Sequence, residues 1–202
     1  MMGNTHITVG IATAVITTQP QTLNGCLTAV LGGTIGGLIC DIDTKANQYG
    51  KDTLLSRIIV IALATAILLS DRLMNTGIWE YILSQSGTPL FTGTLLFAAL
   101  FLGGLLSPHR TFMHSLPALA LMDVALNMLY PPIVPCFTVG FLSHIALDLL
   151  NKKPIRLLYP LPLKCCFKLF YSDGFANNVI LFAAVIADIA LLFYYITRFI
   201  PI

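Results

Sequence analysis

Long apolar runs, separated by short polar or proline-containing breaks, dominate this chain of 202 residues. The runs cover residues 6–18, 23–40, 57–70, 89–107, 111–130, 133–150 and 175–199. A helix needs roughly 20 apolar residues to cross a bilayer, and several runs approach that length. The first run is short and could form a re-entrant pair with the second. The pattern predicts an all-α fold, a polytopic transmembrane helical bundle with six or seven membrane segments.

Composition favours a membrane protein over a soluble one. Hydrophobic residues make up 56% of the chain and charged residues only 10%, and the mean hydropathy is +0.84. Soluble domains carry about 25% charged residues, so an ordinary water-soluble enzyme is disfavoured and a disordered chain is excluded. The net charge of +2 gives no reason to expect a nucleic-acid partner. The expected partner is the lipid bilayer, and we expect one domain over residues 1–202 because no repeat or linker interrupts the chain.

Lysine and arginine are distributed unevenly between the predicted loops. The loops after the second, fourth and sixth segments, with their segment ends, hold nine of the eleven basic residues: Lys45, Lys51, Arg57, Arg110, Lys152, Lys153, Arg156, Lys164 and Lys168. The opposite side holds Arg72 and Arg198. Because cytoplasmic loops accumulate positive charge, this predicts a multi-pass protein of the cytoplasmic (inner) membrane with those three loops inside. Seven segments would then place the N-terminus inside and the C-terminus outside.

The ionisable side chains that need an explanation gather at that same predicted face. They are His6, Asp41, Asp43, His109, Arg110, His114, His144 and Asp148. The set includes all four histidines of the chain. The topology rests on lysine and arginine, of which only Arg110 belongs to the set, so the coincidence is largely independent evidence. Ionisable groups at a membrane boundary are costly and often functional.

The clearest pair is His144 and Asp148. They lie four residues apart on a segment long enough to be helical, so they share one face with Cβ atoms about 5–6 Å apart. An imidazole and a carboxylate at that separation can bind one metal ion. The HxxxD spacing is common by chance, but the cost of burying both groups at a membrane boundary favours a functional pair.

The other candidate ligands lie at segment ends. His109 and His114 share a face less well, and they could serve one metal if His109 lies on the loop before the helix, or two metals otherwise. Asp41 and Asp43 supply two carboxylates at the mouth of a glycine-rich segment, the alternative being a solvated pair neutralised by nearby lysines. His6 alone would be an interfacial histidine. Carboxylates with imidazoles suit Zn²⁺, with Mn²⁺ or Fe²⁺ as alternatives.

Three further polar residues carry more than one interpretation. Arg110 offers a planar fork that suits phosphate or carboxylate oxygens, and its alternative role is a cytoplasmic anchor. Asp123 and Asp188 fall in mid-segment, where acids are expensive. We interpret both as groups that hydrogen bond between helices, and in a transporter they would line the path.

In these motifs the chain resembles the YdjM family of bacterial inner-membrane proteins, described as membrane-bound metal-dependent hydrolases. The matching motifs are Thr5-His6, Asp41-Ile42-Asp43, His109-Arg110 with His114-Ser115-Leu116, Gly140-x-x-Ser143-His144-x-x-x-Asp148-Leu149, and Tyr159-Pro160. Their order and intervals are specific, although each motif alone is weak. Cys40 stands where the family usually has proline, and Thr111 and Met113 depart from its His-Arg-Gly-x-Thr-His pattern. Neither change removes a candidate ligand.

The resemblance implies a membrane-bound metal-dependent hydrolase. The family is distantly similar to the zinc-dependent phospholipase C and nuclease group, which implies cleavage of a phosphoester, here of a lipid or lipid-linked substrate, by a metal-activated water. We expect the metal ligands or the general base among His6, Asp41, Asp43, His109, His114, His144 and Asp148. Asp41 or Asp43 is the expected general base, and Arg110 would hold the phosphoryl oxygens. The alternatives are a metal-ion or proton transporter, or a non-catalytic membrane protein with a structural metal or none.

Overall fold

The computed structural model describes residues 1–43 and 87–199, together with isolated positions between 65 and 84. The α-helices in these two ranges are α1 (Gly3–Thr18), α2 (Leu23–Ile39), α3 (Thr88–Leu106), α4 (Leu116–Leu129), α5 (Val134–Leu149) and α6 (Phe175–Phe199). Short 3-10 turns cover Cys40–Asp43, Phe112–His114 and Pro131–Ile133. The predicted all-α bundle is confirmed for this part of the chain.

Four stretches of the described helices are long and apolar enough to cross a membrane: Leu23–Ile42, Thr88–Leu106, Pro131–Leu149 and Phe175–Phe199. The predicted count of six or seven segments is therefore not confirmed. Helices α1 and α4 have 16 and 14 residues, and even 16 residues rise only about 24 Å against a hydrocarbon core of roughly 30 Å. Of the predicted third segment, residues 57–70, the structure describes only isolated positions, so this segment is not tested.

Glycines bring α1, α2 and α5 into close contact. A Cβ added to Gly33 would lie 2.5 Å from the carbonyl oxygen of Gly10, and one added to Gly140 would lie 2.7 Å from the carbonyl oxygen of Gly33. A Cβ on Gly37 would lie 2.5 Å from the carbonyl oxygen of His6. Small residues allow such approach in membranes, where packing and not water exclusion holds helices together. The first turn of α1 is thereby placed beside the last turns of α2.

The other helices pack around these three. Phe137 and Phe141 of α5 are buried in the main apolar core, which α4 also lines. Helix α3 lies against α4, where a Cβ on Gly93 would be 2.8 Å from the Cβ of Met128. Helix α6 covers α1 through a second apolar cluster that contains Tyr195. Most of α3 and α6 remains exposed, which suits helices that face lipid.

Asp123 makes the interhelical hydrogen bond that its position predicts. Both of its carboxylate oxygens accept from the Thr138 hydroxyl at 3.0 Å, which joins α4 to α5. Asp188 is half-buried on α6, and its Oδ1 has no hydrogen-bond partner among the described residues.

All of the described helices run between two opposite ends of the bundle. One end collects the starts of α1, α4 and α6 and the last turns of α2 and α5, and we call it the histidine end because it carries His6, His114 and His144. The loop between α5 and α6, with its five basic residues, also lies there, since its backbone bonds to the last turn of α5. Arg198 lies at the other end, hydrogen-bonded to Gln21. The predicted separation of charge therefore holds for Arg110, Arg198 and the basic residues of this loop, while Lys45, Lys51 and Arg57 lie outside the described residues.

Candidate metal centre

His144 lies near the end of α5 and is fully buried. Its Nδ1 is 2.8 Å from the carbonyl oxygen of Gly37. A carbonyl oxygen can only accept, so Nδ1 donates, and the neutral ring keeps an unshared electron pair on Nε2. Nε2 has no hydrogen-bond partner among the described residues. A histidine that binds a metal has this arrangement, in which one nitrogen donates to a backbone carbonyl and the other faces the ion.

Two more imidazoles and two carboxylates converge on the Nε2 atom of His144. Asp41 Oδ1 lies 3.8 Å from His144 Nε2 and 3.7 Å from His114 Nε2. Asp148 Oδ1 lies 3.5 Å from His6 Nε2, and its Oδ2 lies 3.5 Å from His114 Nε2. These separations exceed those of good hydrogen bonds. They are close to the roughly 3.4 Å expected between two ligands bound at about 2.0–2.1 Å to one tetrahedral ion.

The donors form two overlapping groups. In each group the three ligand atoms lie within 4.8 Å of one another: His6, His144 and Asp148 in the first, and Asp41, His114 and His144 in the second. The rings of His6 and His144 stack with centroids 3.7 Å apart, an arrangement that two cationic rings would oppose. Neutral imidazoles and ionised carboxylates are the forms that bind metals. The residues present therefore fit a divalent cation.

One of the five candidate ligands is less buried than the others. His6, His114, His144 and Asp148 are almost completely buried, whereas the Asp41 side chain is 20% exposed. Buried ionisable groups are unfavourable unless they are paired or bind a metal. Asp41 is the least buried of the five candidate ligands.

Arg110 lies against the cluster in a strained backbone conformation. Its φ angle is 66°, a left-handed value that costs a non-glycine residue about 1–2 kcal/mol. Its Nη2 lies 3.2 Å from Asp148 Oδ2, and its Nη1 donates to the carbonyl oxygen of Lys153 at 2.6 Å. Its own carbonyl oxygen accepts from the backbone N–H of Arg156 at 3.1 Å. These contacts hold the strained residue where its guanidinium meets the site, and strain of this kind concentrates at functional sites.

Two buried asparagines support the cluster, one just after α5 and one in α6. Asn151, just after α5, donates from Nδ2 to Asp148 Oδ1 at 2.8 Å. The amino group of Met1 lies 2.9 Å from the same oxygen. Asn177 of α6 accepts from the Thr5 hydroxyl at 2.9 Å and from the Met2 backbone N–H at 3.0 Å. These bonds orient the Asp148 carboxylate and fix the first turn of α1, which carries His6.

The structure brings together five of the eight predicted site residues: His6, Asp41, His114, His144 and Asp148. Arg110 adjoins them through Asp148. His109 lies on the loop before α4 with its ring edge-on to His114 at 5.2 Å, outside both ligand groups. Asp43 ends the 3-10 turn after α2, and its side chain lies outside the described part of the chain.

Asn151, Asn177 and the Gly37 carbonyl group were not predicted as parts of the site. Asn151 follows Asp148 by three residues, so helical spacing places it near the carboxylate and could have indicated it. Asn177 has no comparable signal, because it approaches the site only through the packing of α6 on α1. The Gly37 carbonyl is available to His144 because glycine lets α2 approach its neighbours closely.

Fold and cluster together define a helical membrane protein with a buried His/Asp group whose chemistry suits a divalent metal. The family model described as YdjM inner membrane protein matches residues 1–200, and the chain belongs to this family. The predicted membership is thereby confirmed, and with it the class of inner membrane protein. No curated protein and no solved structure matches the chain.

Proposed function

We propose that this protein is a metal-dependent hydrolase of the inner membrane that cleaves a phosphoester of a lipid or lipid-linked substrate. The observation that carries the proposal is the free Nε2 lone pair of His144, fixed by the Gly37 carbonyl and surrounded by other ligand atoms. Hydrogen bonding alone gives no reason to bury three imidazoles beside two carboxylates at separations longer than those of good hydrogen bonds.

The residues of the site would have three roles: binding the metal ion, accepting a proton and binding the substrate. One of the two ligand groups would hold the ion, with His144 taking part in either case, and Zn²⁺ is the first choice with Mn²⁺ or Fe²⁺ as the alternatives. When bound, the ion would activate water as a nucleophile at neutral pH and polarise a phosphoryl oxygen. Asp41 reaches solvent and would accept the proton of the attacking water, a role that Asp43 could also take. Arg110, whose side chain is 14% exposed, would donate N–H groups to phosphoryl oxygens.

The position of the cluster favours a lipid-derived substrate. Asp41 lies at the last residues of the apolar stretch Leu23–Ile42, and Asp148 lies at the end of Pro131–Leu149. The ends of spanning helices lie at the level of lipid headgroups, where phosphoesters of lipids are found. A carrier usually binds its cargo near the bilayer midplane, so this position supports the hydrolase over the transporter alternative. Asp123, which a transport path would need, is instead bonded to Thr138.

Metal content and hydrolysis, measured on the same detergent-purified protein, test the proposal. Wild type should contain at least about one equivalent of zinc, manganese or iron, and His144→Ala should lose it, because the variant removes the ligand shared by both groups. Asp123→Asn is the matched control, since it alters a buried acid bonded to Thr138 away from the cluster. That control should keep its metal.

The hydrolysis arm uses a chromogenic phosphomonoester, a chromogenic phosphodiester and anionic phospholipids. Wild type should release product in a chelator-sensitive reaction, and Asp148→Ala should abolish it while the protein remains in the membrane fraction. Bound metal without turnover on any substrate would favour the structural-metal alternative. If wild type contains no metal after reconstitution, both the proposed metal cofactor and the proposed hydrolase activity are wrong.

A further inference from the structure

The segment between α5 and α6 carries an unusual combination of side chains. Residues 152–171, which we call the apron, contain five basic residues and no acidic residue. The basic residues are Lys152, Lys153, Arg156, Lys164 and Lys168. Between them lie large apolar residues, so the segment is both cationic and hydrophobic.

Backbone hydrogen bonds hold the apron against the last turn of α5. The Phe167 N–H donates to the Leu149 carbonyl at 2.7 Å, and the Leu169 N–H donates to the Leu150 carbonyl at 3.0 Å. Ile155 and Cys165 exchange backbone bonds of 3.0 and 2.9 Å, which closes the apron on itself. The apolar stretch Pro131–Leu149 ends at this turn. The end of the apron near Phe167 therefore lies at the level where a spanning helix leaves the hydrocarbon.

The large apolar side chains of the apron point outward. Their exposed fractions range from 37% to 65%, and they are Leu158, Leu161, Leu163, Phe167, Leu169, Phe170 and Tyr171. Seven exposed large apolar side chains in a segment of 20 residues are unusual on parts of a protein that face water, and they indicate a contact with a membrane or a partner. At the depth of the last turn of α5, acyl chains are the nearest apolar medium.

The charges of the apron identify the partner. Lys152, Lys153, Lys164 and Lys168 are exposed, and the Lys152 ammonium lies 3.8 Å from the centre of the Tyr171 ring, so at least one cation lies directly against an exposed aromatic side chain. Lysines beside apolar residues extend toward headgroups while their stems cover hydrocarbon. A basic segment at a membrane surface attracts anionic lipid at about 1 kcal/mol for each lysine, a roughly fivefold preference.

We propose that the apron lies in the leaflet at the histidine end and binds anionic phospholipids, with its apolar side chains among the acyl chains and its lysines on the phosphates. The apron also contacts the candidate centre, because Arg110 bonds to the Lys153 carbonyl and to the Arg156 N–H. Anionic lipids are thereby concentrated beside the residue that would bind phosphoryl oxygens. The lipid contact itself does not depend on hydrolysis or on a bound metal.

A tryptophan reporter tests the depth of the apron. Trp79, the single tryptophan of the chain, is changed to Phe, and Phe167→Trp is introduced. The full chain is placed in phosphatidylcholine vesicles that contain phosphatidylglycerol, with lipids brominated on the acyl chain near the carbonyl group. We expect strong quenching by the brominated lipids and weak quenching by aqueous acrylamide. Leu102→Trp on α3, at a position 57% exposed within a spanning stretch, is the lipid-facing control.

The same reporter tests the preference for charge. With bromine on phosphatidylglycerol only, quenching of Phe167→Trp should be at least about twice that seen with bromine on phosphatidylcholine only, at equal mole fraction. Changing Lys152, Lys153, Lys164 and Lys168 to Gln should reduce the ratio to that of Leu102→Trp, whereas Arg198→Gln at the other end should leave it unchanged. A salt series replaces this quadruple variant if it does not fold. Raising the salt concentration with all four lysines present should reduce the quenching ratio of Phe167→Trp in the same way.

Two results would overturn the proposal. Acrylamide quenching equal to that of free N-acetyltryptophanamide, with no effect of the brominated lipids, would place the apron in water and favour a protein partner. Equal quenching by the two brominated lipids at low salt would show that the lysines do not select anionic phospholipids. Neither readout involves metal or turnover, so both remain informative if the proposed hydrolase fails its own test.

Discussion

At the residue scale, the hydrogen bond between His144 and Gly37 determines which imidazole nitrogen carries the proton. The carbonyl oxygen of Gly37 fixes the proton on Nδ1, so the lone pair of Nε2 faces the space between the ligand atoms of Asp41 and His114. A histidine ring that is held in place by a group that does not itself bind the metal loses less freedom when the metal binds. The bond also couples the site to the packing of α2 on α5, since Gly37 is positioned by that packing.

Asn151 should tune the affinity for the metal without being a ligand. It donates to Asp148 Oδ1, and Asn151→Ala removes this bond while leaving every candidate ligand in place. Groups that orient metal ligands typically contribute about 10- to 100-fold in affinity. We expect a loss of that size in a competition titration against a chelator of known affinity.

Asn127→Ala is the matched control for Asn151→Ala, because Asn127 is an exposed asparagine near the end of α4, away from the histidine end. It should bind metal as wild type does. An unchanged affinity in Asn151→Ala would mean that Asn151 supports only the loop after α5, through its backbone bridge to Phe170.

At the scale of helices, glycine contacts determine how closely α1, α2 and α5 approach. Gly33→Ala would place a Cβ 2.5 Å from the Gly10 carbonyl oxygen and 2.8 Å from the Ala14 Cβ, both parts of a rigid helix. Overpacking of this kind costs about 1–3 kcal/mol. We expect a lower unfolding temperature, followed by circular dichroism in detergent, and a reduced metal content because His6 would be displaced.

The control for this substitution is Gly103→Ala on the exposed side of α3. The nearest atom to its added Cβ is a Phe112 ring carbon at 4.0 Å, so the methyl group has room. Alanine is also the better helix former. Equal unfolding temperatures for Gly33→Ala and Gly103→Ala would contradict the role assigned to the glycine contacts.

The hydropathy pattern predicted which parts of the described chain are helical, but it did not predict the residues at which the helices begin. The apolar run from residue 111 predicted one helix, whereas α4 begins at Leu116 because Ser115 caps it by accepting from the Ala118 N–H. His114 therefore lies in a 3-10 turn, a difference that hydropathy does not register. Helix α1 begins at Gly3, before the apolar run, because the polar Thr5 is buried against Asn177.

The candidate site was predictable to the extent that its ligands lie near segment ends. His144 and Asp148 follow from helical spacing, and the topology brings His6, Asp41 and His114 to the same end. The exclusion of His109 from both ligand groups depends on the path of the loop that precedes α4. The pairing of Asp148 with Arg110 depends on the left-handed backbone of Arg110, which no spacing rule predicts.

At the scale of the whole molecule, the distribution of charge predicts the orientation in the membrane. The apron at the histidine end is strongly basic, so this end should face the cytoplasm and the end of α6 should face outward. Alkaline phosphatase fused after residue 202 should be active, whereas a fluorescent protein fused there should be dark. Fusions that end the chain after Lys164 should show the reverse. An active phosphatase at Lys164 would place the candidate site outside the cytoplasm.

The membership of His144 in both ligand groups has a consequence for stoichiometry. Its Nδ1 is bonded to Gly37, so only Nε2 remains, and one lone pair cannot serve two cations. If His6, His144 and Asp148 held an ion, Asp41 and His114 would be left without the shared ligand, and a second cation a few ångströms away would also be repelled. Binding should therefore be strongly anticooperative, with one tight equivalent in a calorimetric titration. A substitution of His144 should therefore disable both ligand groups, whereas a substitution of His6 or Asp41 should disable only one of them.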